Sequence, residues 1–300
     1  MDARVKTFLG KNPYDHLRVA PHFLRAVQAN LAYHHAHCED YARLIRAMGF
    51  DPACVQTEKD LWRIPPIATL FLKKHSLMSM PEEKLVLRAT SSGTSGARSA
   101  VAFDRQSLLY GIGALTRLFS YLGLPGALPV HYVVLSYPPG EGMTLGASQT
   151  ANGAMRFAPA LSKTYALKRL GPGSYAPDIE GVRAALLRHE KSPFAVRFIG
   201  FPAYLHALCR MLETEDIRVR LPRGSLALLG GGFKGLPGAQ EAEELPRLAK
   251  ERLGLAPSRI FEVFSAAEHP LAYYKCRLGR FHIPAYSRVF IRGADGVTPV

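Results

Sequence analysis

The densest concentration of chemically capable side chains in the sequence is Arg88-Ala-Thr-Ser-Ser-Gly-Thr-Ser-Gly-Ala-Arg-Ser99. Thr90, Ser91, Ser92, Thr94 and Ser95 supply hydroxyls, while Gly93 and Gly96 let the backbone turn through positive φ and present its N–H groups. Such a loop forms a concave nest for an anion. Leu85-Val86-Leu87 before it reads as a strand, and Arg105 to Tyr110 after it opens an amphipathic helix. A glycine-rich turn at that junction is where α/β proteins hold phosphate. A flexible Ser/Gly linker has the same composition, so both readings stay open on composition alone. No Gly-Lys-Ser/Thr follows at Walker A spacing, which removes the usual nucleoside-triphosphatase reading.

The other candidates are weaker. His34, His37 and Cys38 fall on one face if residues 21–50 form a single helix ended by Gly49, but a solvated polar face explains them better than a metal. Cys276 and His282 are two separated ligands and specify no metal centre. The chain holds 300 residues, 48% hydrophobic, with 38 Lys plus Arg against 24 Asp plus Glu for a formal charge of +14. That excludes a disordered polymer and favours anionic ligands. Neither a basic run of five nor a Cys-x-x-Cys pair appears, which argues against nucleic acid. Four dispersed cysteines, no signal-like start and no apolar segment of spanning length point to a cytoplasmic protein without a membrane span.

The elements that must position the loop alternate. Helices are expected over residues 106–122, 178–190 and 240–253, and strands over 101–104, 131–136, 195–199, 225–229 and 260–264. Pro65-Pro66 forces an extended segment, and residues 145–152 read as a small-residue helix. Residues 273–284 and 288–297 read as strands, with Asp295-Gly296 as a hairpin turn. The fold class is therefore α/β with a largely parallel sheet, whose ligands gather at the carboxyl ends of the strands. Three such ends carry distinctive residues: Gly200-Phe-Pro-Ala-Tyr204, Gly230-Gly-Gly-Phe-Lys234 and Phe264-Ser-Ala-Ala-Glu-His269.

Ser91 to Gly96 resemble the T-S-G-T-T-G-x-P-K phosphate loop of adenylate-forming enzymes, the acyl- and aryl-CoA ligase superfamily, with Arg98 and Ser99 in place of the final Pro-Lys. The Ile64-Pro-Pro to Lys74 segment, the Gly200 turn and the Gly230 turn are similar to those of the acyl-protein synthetase (LuxE-like) group and of phenylacetate-CoA ligases. The resemblance covers roughly residues 60 to 297. It implies a helical N-terminal region, residues 1–84, before two packed sheet-and-helix layers with a cleft, residues 85–192 and 193–300, the second incomplete and the superfamily's C-terminal domain absent. It also implies ATP and Mg2+, with Ser91, Ser92, Gly93, Thr94, Ser95, Gly96 and Arg98 at the phosphates, Thr94 and Ser95 acting in catalysis. Gly230, Gly231, Gly232, Phe233, Phe264 and Ser265 would take the adenine side, and Glu268 the metal in the place of the superfamily's Thr-Glu, where Ala267 replaces the Thr. Phe201, Tyr204, Thr150 and Asn152 would lie on the acyl side. The implied activity is activation of a carboxylic acid, a fatty acid foremost, to an acyl-adenylate for transfer to a thiol on CoA, a carrier phosphopantetheine or a protein cysteine, with a protein partner conceivable. A phenylacetate-type aryl-CoA ligase and a non-catalytic nucleotide- or acyl-binding subunit are the alternatives.

Overall fold

The computed structural model describes residues 2–8, 10–91, 99–139, 151–171, 173–232 and 243–294. These residues divide into two compact units: residues 1–123, 267–271 and 283–300 form the first, and 124–266 with 272–282 the second.

In the first unit, α1 (Ala3–Phe8) leads to α2 (His16–His37), whose N-cap Asp15 accepts a hydrogen bond from the Arg18 amide at 3.2 Å. The expected single helix over 21–50 is broken at Cys38, where the backbone is extended (φ −129°, ψ 99°) before α3 (Glu39–Ala47) begins. Hydrophobic spacing runs through the break, because Leu31 of α2 and Ile45 of α3 share one cluster with Phe50, Val55 and Leu61. A short α4 (Thr69–Lys74) follows the extended Pro65-Pro66 segment. Next, β1 (Leu85–Thr90) and β2 (Ala100–Asp104) pair antiparallel, and α5 (Arg105–Tyr121) starts on the Asp104 cap.

The second unit is built on one seven-stranded sheet. Its strands are β3 (Val130–Leu135), β4 (Ala160–Tyr165), β7 (Val196–Gly200), β8 (Leu226–Gly230), β9 (Ile260–Phe264), β10 (Tyr273–Lys275) and β11 (Phe281–His282). They lie in the order β11-β10-β9-β8-β7-β3-β4, parallel from β4 to β9 and antiparallel at the β10–β11 edge. Every residue of β3 is buried, as a parallel strand covered on both faces requires. Helices α6 (Ile179–His189), α7 (Pro202–Thr214) and α8 (Leu245–Leu253) pack in the same unit. The last ends on Gly254 at φ 64°. Leu186, Phe198, Leu205, Leu208, Leu229 and Leu248 belong to one core cluster between these helices and the sheet.

The α/β class and the largely parallel sheet hold, and three expectations change. Strands on both sides of residue 192 are neighbours in one sheet, β3 beside β7, so the compact units do not follow the 85–192 and 193–300 division. The sequence reading also passed over β5 (Leu167–Gly171) and β6 (Ser174–Pro177), an antiparallel pair bearing the exposed Lys168 and Arg169. Finally, Arg288 to Ile291 is not a strand. The arginines around it bind through their side chains: Arg288 donates to Glu58 at 2.7 Å and to the Ser287 carbonyl at 2.8 Å, and Arg292, in an isolated bridge, donates to the Ile64 carbonyl at 3.1 Å. Asp295-Gly296 and most of 145–152 lie outside the described residues. Among the described residues, no helix is long and apolar enough to cross a membrane.

Candidate active site

Within the first unit, the antiparallel strands β1 and β2 flank the hydroxyl-rich stretch in sequence. Thr90 pairs with Ala100, and the next residues close the base: the Ser91 amide donates to the Ser99 carbonyl at 3.0 Å, and the Ser99 amide to Ser91 Oγ at 2.9 Å. Ser92 to Arg98 lie outside the described residues, so Ser92, Gly93, Thr94, Ser95, Gly96 and Arg98 stay sequence-based assignments. Ser99 is fully buried and its hydroxyl donates to Glu268 Oε1. Two candidates 169 residues apart thus meet, because the segment 267–271 leaves the sheet after β9 and belongs to the first unit. Sequence reasoning had taken Ser99 only as a missing lysine. Glu268 is half-buried, and among the described residues no three His, Cys, Asp or Glu side chains gather as a metal cage. One carboxylate is the donor set expected for Mg2+ whose other ligands are phosphate oxygens and water, not for a structural ion. His34 and His37 bond Ser79 and the Tyr33 carbonyl, and Cys38 is buried outside the helix, so the early histidines do not assemble with it.

Within the second unit, the carboxyl ends of the parallel strands form one edge. Leu135 pairs with Gly200, Gly200 with Leu229, and Gly230 with Val263. This brings the Gly200, Gly230 and Phe264 turns together as neighbours. Gly200 sits at φ 134°, and a Cβ there would stand 2.4 Å from the Leu135 carbonyl oxygen, so no other residue fits. The Phe201 amide then donates to that oxygen at 2.8 Å and Pro202 starts α7. Gly231 and Gly232 have φ of 83° and 63°, a backbone conformation that favours glycine at both positions just past β8. Phe233 and Thr150 are outside the described residues.

Phe264 ends β9 with 48% of its surface exposed, although its ring stacks on Tyr273 at 6.1 Å and meets Phe281 edge-on at 6.0 Å. A large aromatic held at a strand end with about half of its surface exposed can take a planar ring. Ser265 beside it is exposed, and Asn152 is half-buried in a helical turn. On the Gly200 side, Phe201 is buried and its ring lies 6.3 Å from Tyr204. Burial, with the neighbouring Tyr137 phenol second, pushes the Tyr204 hydroxyl above its ordinary range. Tyr137, just past β3, packs edge-on against Tyr175 at 4.9 Å. Tyr137 and Tyr175 escaped the sequence reading, because Tyr175 comes from the unrecognised β6.

Residues 15–299 match the family described as acyl-protein synthetase, LuxE. A long-chain-fatty-acid–luciferin-component ligase of Vibrio harveyi is 24% identical over 281 residues, covering 91% of this chain and 69% of that protein. Among solved structures, 2-hydroxyisobutyryl-CoA ligase in its thioesterification state, with 2-HIB-AMP and CoA, superposes at a TM-score of 0.67 with 16% identity. That match covers 97% of this chain and 59% of that one. The same ligase in its postadenylation state, with 2-HIB-AMP, gives 0.61 with 18% identity over 88% and 52%. The chain therefore spans little more than half the length of these two solved structures. With a family match running from residue 15 to residue 299, nearly its whole length, the chain belongs to the LuxE acyl-protein synthetase family.

Proposed function

We propose that this chain activates a carboxylic acid, a long-chain fatty acid foremost, as an acyl-adenylate and passes the acyl group to a thiol. The observation that carries the reading is the hydrogen bond from Ser99 to Glu268, which ties the strand-end carboxylate to the base of the hydroxyl-rich loop. An anion nest with a carboxylate at its root suits a polyphosphate whose charge is shared with a hard cation. The acid substrate is suggested by the Vibrio harveyi relative, whose name specifies long-chain fatty acid.

In this mechanism the substrate carboxylate is itself the nucleophile. One of its oxygens bonds to the α-phosphorus of ATP while the bond from that phosphorus to the bridging oxygen of pyrophosphate breaks, giving acyl-AMP and pyrophosphate. A thiol then attacks the acyl carbon and AMP leaves. The protein contributes placement and charge neutralisation, and no Ser-His-Asp set is needed. Ser91, Ser92, Gly93, Thr94, Ser95, Gly96 and Arg98 would hold phosphates through amides, hydroxyls and one guanidinium. Gly230 to Phe233 with Phe264 would take the adenine, the glycines because side chains would block its face, and Phe201, Tyr204, Thr150 and Asn152 the acyl group. Glu268 would ligate Mg2+, which when bound neutralises phosphate charge.

Acid-dependent ATP–pyrophosphate exchange tests the reading without any acceptor thiol. Long-chain fatty acids are expected to promote exchange and aryl acids not to, and Glu268→Gln should lower the rate about tenfold or more, roughly 1.4 kcal/mol, with little change in melting temperature. A protein that binds ATP yet exchanges with no acid would instead be a non-catalytic nucleotide-binding subunit.

A further inference from the structure

Ser99 stands where the T-S-G-T-T-G-x-P-K pattern ends in lysine, and three bonds fix it. Its amide and carbonyl are both committed to Ser91, its side chain is fully buried, and its hydroxyl has Glu268 Oε1 as acceptor. We propose that Ser99 is a positioning residue: it fixes the rotation of the Glu268 carboxylate, so that Oε2 is the oxygen presented to the cation that accompanies bound nucleotide. This rests on the ATP reading above.

The physical case turns on what a hydroxyl does that an ammonium does not. In this pair the Ser99 hydroxyl is the donor and the carboxylate oxygen the acceptor, and a neutral hydroxyl adds no positive charge beside it. A lysine at residue 99 would pair with Glu268 and neutralise the charge a hard cation needs. Serine orients without neutralising. A half-buried Glu has three side-chain torsions to fix, and a donor held by the hairpin base removes that freedom before the ligand arrives. The same bond ties Ser99, just before β2, to the acid.

The test reads binding, not turnover. ATP is titrated calorimetrically into the full chain, once with Mg2+ and once with EDTA, and the ratio of the two affinities is the metal increment. Wild type should show a clear increment, Ser99→Ala an increment about tenfold smaller, the usual effect of removing a partner that orients a metal ligand. Metal-free ATP affinity should be unchanged in that variant, and Ser99→Thr, which keeps the hydroxyl, should restore the increment. In a Glu268→Gln background, Ser99→Ala should cause no further loss, because Ser99 acts only through Glu268. If Ser99→Ala does not fold, Ser99→Cys, with a weak donor in the same place, is expected to lose the increment in part. A Ser99→Ala protein with the wild-type increment, or one whose loss adds fully to that of Glu268→Gln, overturns the proposal while leaving the ATP reading intact. Failure of wild type to bind ATP in either condition sinks the ATP reading itself and this inference with it.

Discussion

Gly200 shows how one absent Cβ shapes the candidate site. Its φ of 134° and the 2.4 Å approach to the Leu135 carbonyl oxygen leave no room for a side chain, and the obstacle is backbone, which cannot rotate aside. Gly200→Ala is therefore expected to cost about 3 kcal/mol, near the upper end for a strained single site, read by urea unfolding. A loss below about 1 kcal/mol would mean that β3 and β7 can part at that point at little expense. Phe264 predicts the opposite pattern. Half of its surface is already in water, so Phe264→Ala should change stability little while weakening ATP binding about tenfold if its ring packs on the base. Unchanged affinity in the folded variant would remove Phe264 from the site. Ser99 was visible in the sequence only as a departure from a pattern, because no local signal tells a serine that its acceptor lies 169 residues further on.

At the scale of elements, β3, β4 and α6 meet around a pair of stacked imidazoles. His131 and His189 lie 3.8 Å apart, centroid to centroid, at 16°. His131 Nδ1 and Nε2 each sit 2.8 Å from a hydroxyl, those of Ser162 and Ser192, whereas His189 Nε2 has no partner among the described residues. Burial first, then His131 and Arg188, depress His189 to about 4, and burial lowers His131 as well. A histidine depressed on folding takes up its proton more readily in the unfolded chain. The neutral pair's stability is thus complete above the unfolded pKa of 6.5 and drains away as pH falls from there toward about 4. The loss approaches about 3 kcal/mol for His189. His189→Phe, which keeps a flat ring and cannot ionise, should flatten the melting temperature between pH 7 and pH 5, roughly the window in which the unfolded chain protonates. An identical slope in both proteins would show that other groups set the acid limit.

Elements were legible where their own residues pay out locally. β9 begins and ends at the expected Ile260 and Phe264, and α6 fills 178–190 with Asp178 as its cap, since an apolar run or a capped period is written in consecutive residues. The β5–β6 pair was not legible, because strands with exposed Lys168, Arg169 and Leu170 show neither alternation nor a buried run. Arg288-Val-Phe-Ile-Arg292 misled for the converse reason. It has a strand's composition, but both arginines find carbonyl or carboxylate acceptors elsewhere in the first unit, and Phe290 and Ile291 remain exposed.

Across the whole molecule, the first unit is assembled from three separate stretches of chain. The Ala285 amide donates to the Pro13 carbonyl at 2.6 Å, His16 Nε2 lies 3.1 Å from the Ile283 carbonyl, and Tyr286, 2% exposed, packs 5.9 Å from the Phe8 ring. Buried Arg117 donates to the Thr7 carbonyl at 2.9 Å and stands 5.7 Å from the Tyr286 ring. Residues 1–123 produced alone lack Tyr286 and Arg288 and are expected to show no cooperative urea transition. Residues 124–282, which carry the whole seven-stranded sheet and its core, should unfold cooperatively. A sharp transition for the shorter piece would mean that residues 283–294 decorate the first unit without completing it.

The same three-stretch assembly sets an order in time. The helices α1, α2 and α3 leave the ribosome well before the partners that seal Phe8, His16 and Pro13, which arrive only after residues 124–282 have emerged. At bacterial-to-eukaryotic synthesis speeds that interval is on the order of ten seconds, far longer than helix formation. The nascent protein therefore carries an unsealed N-terminal region while its sheet is still being made, and Ser99 waits for Glu268 through most of that interval. Yield on expression should respond to elongation speed and to chaperone supply more than to the stability of the finished fold.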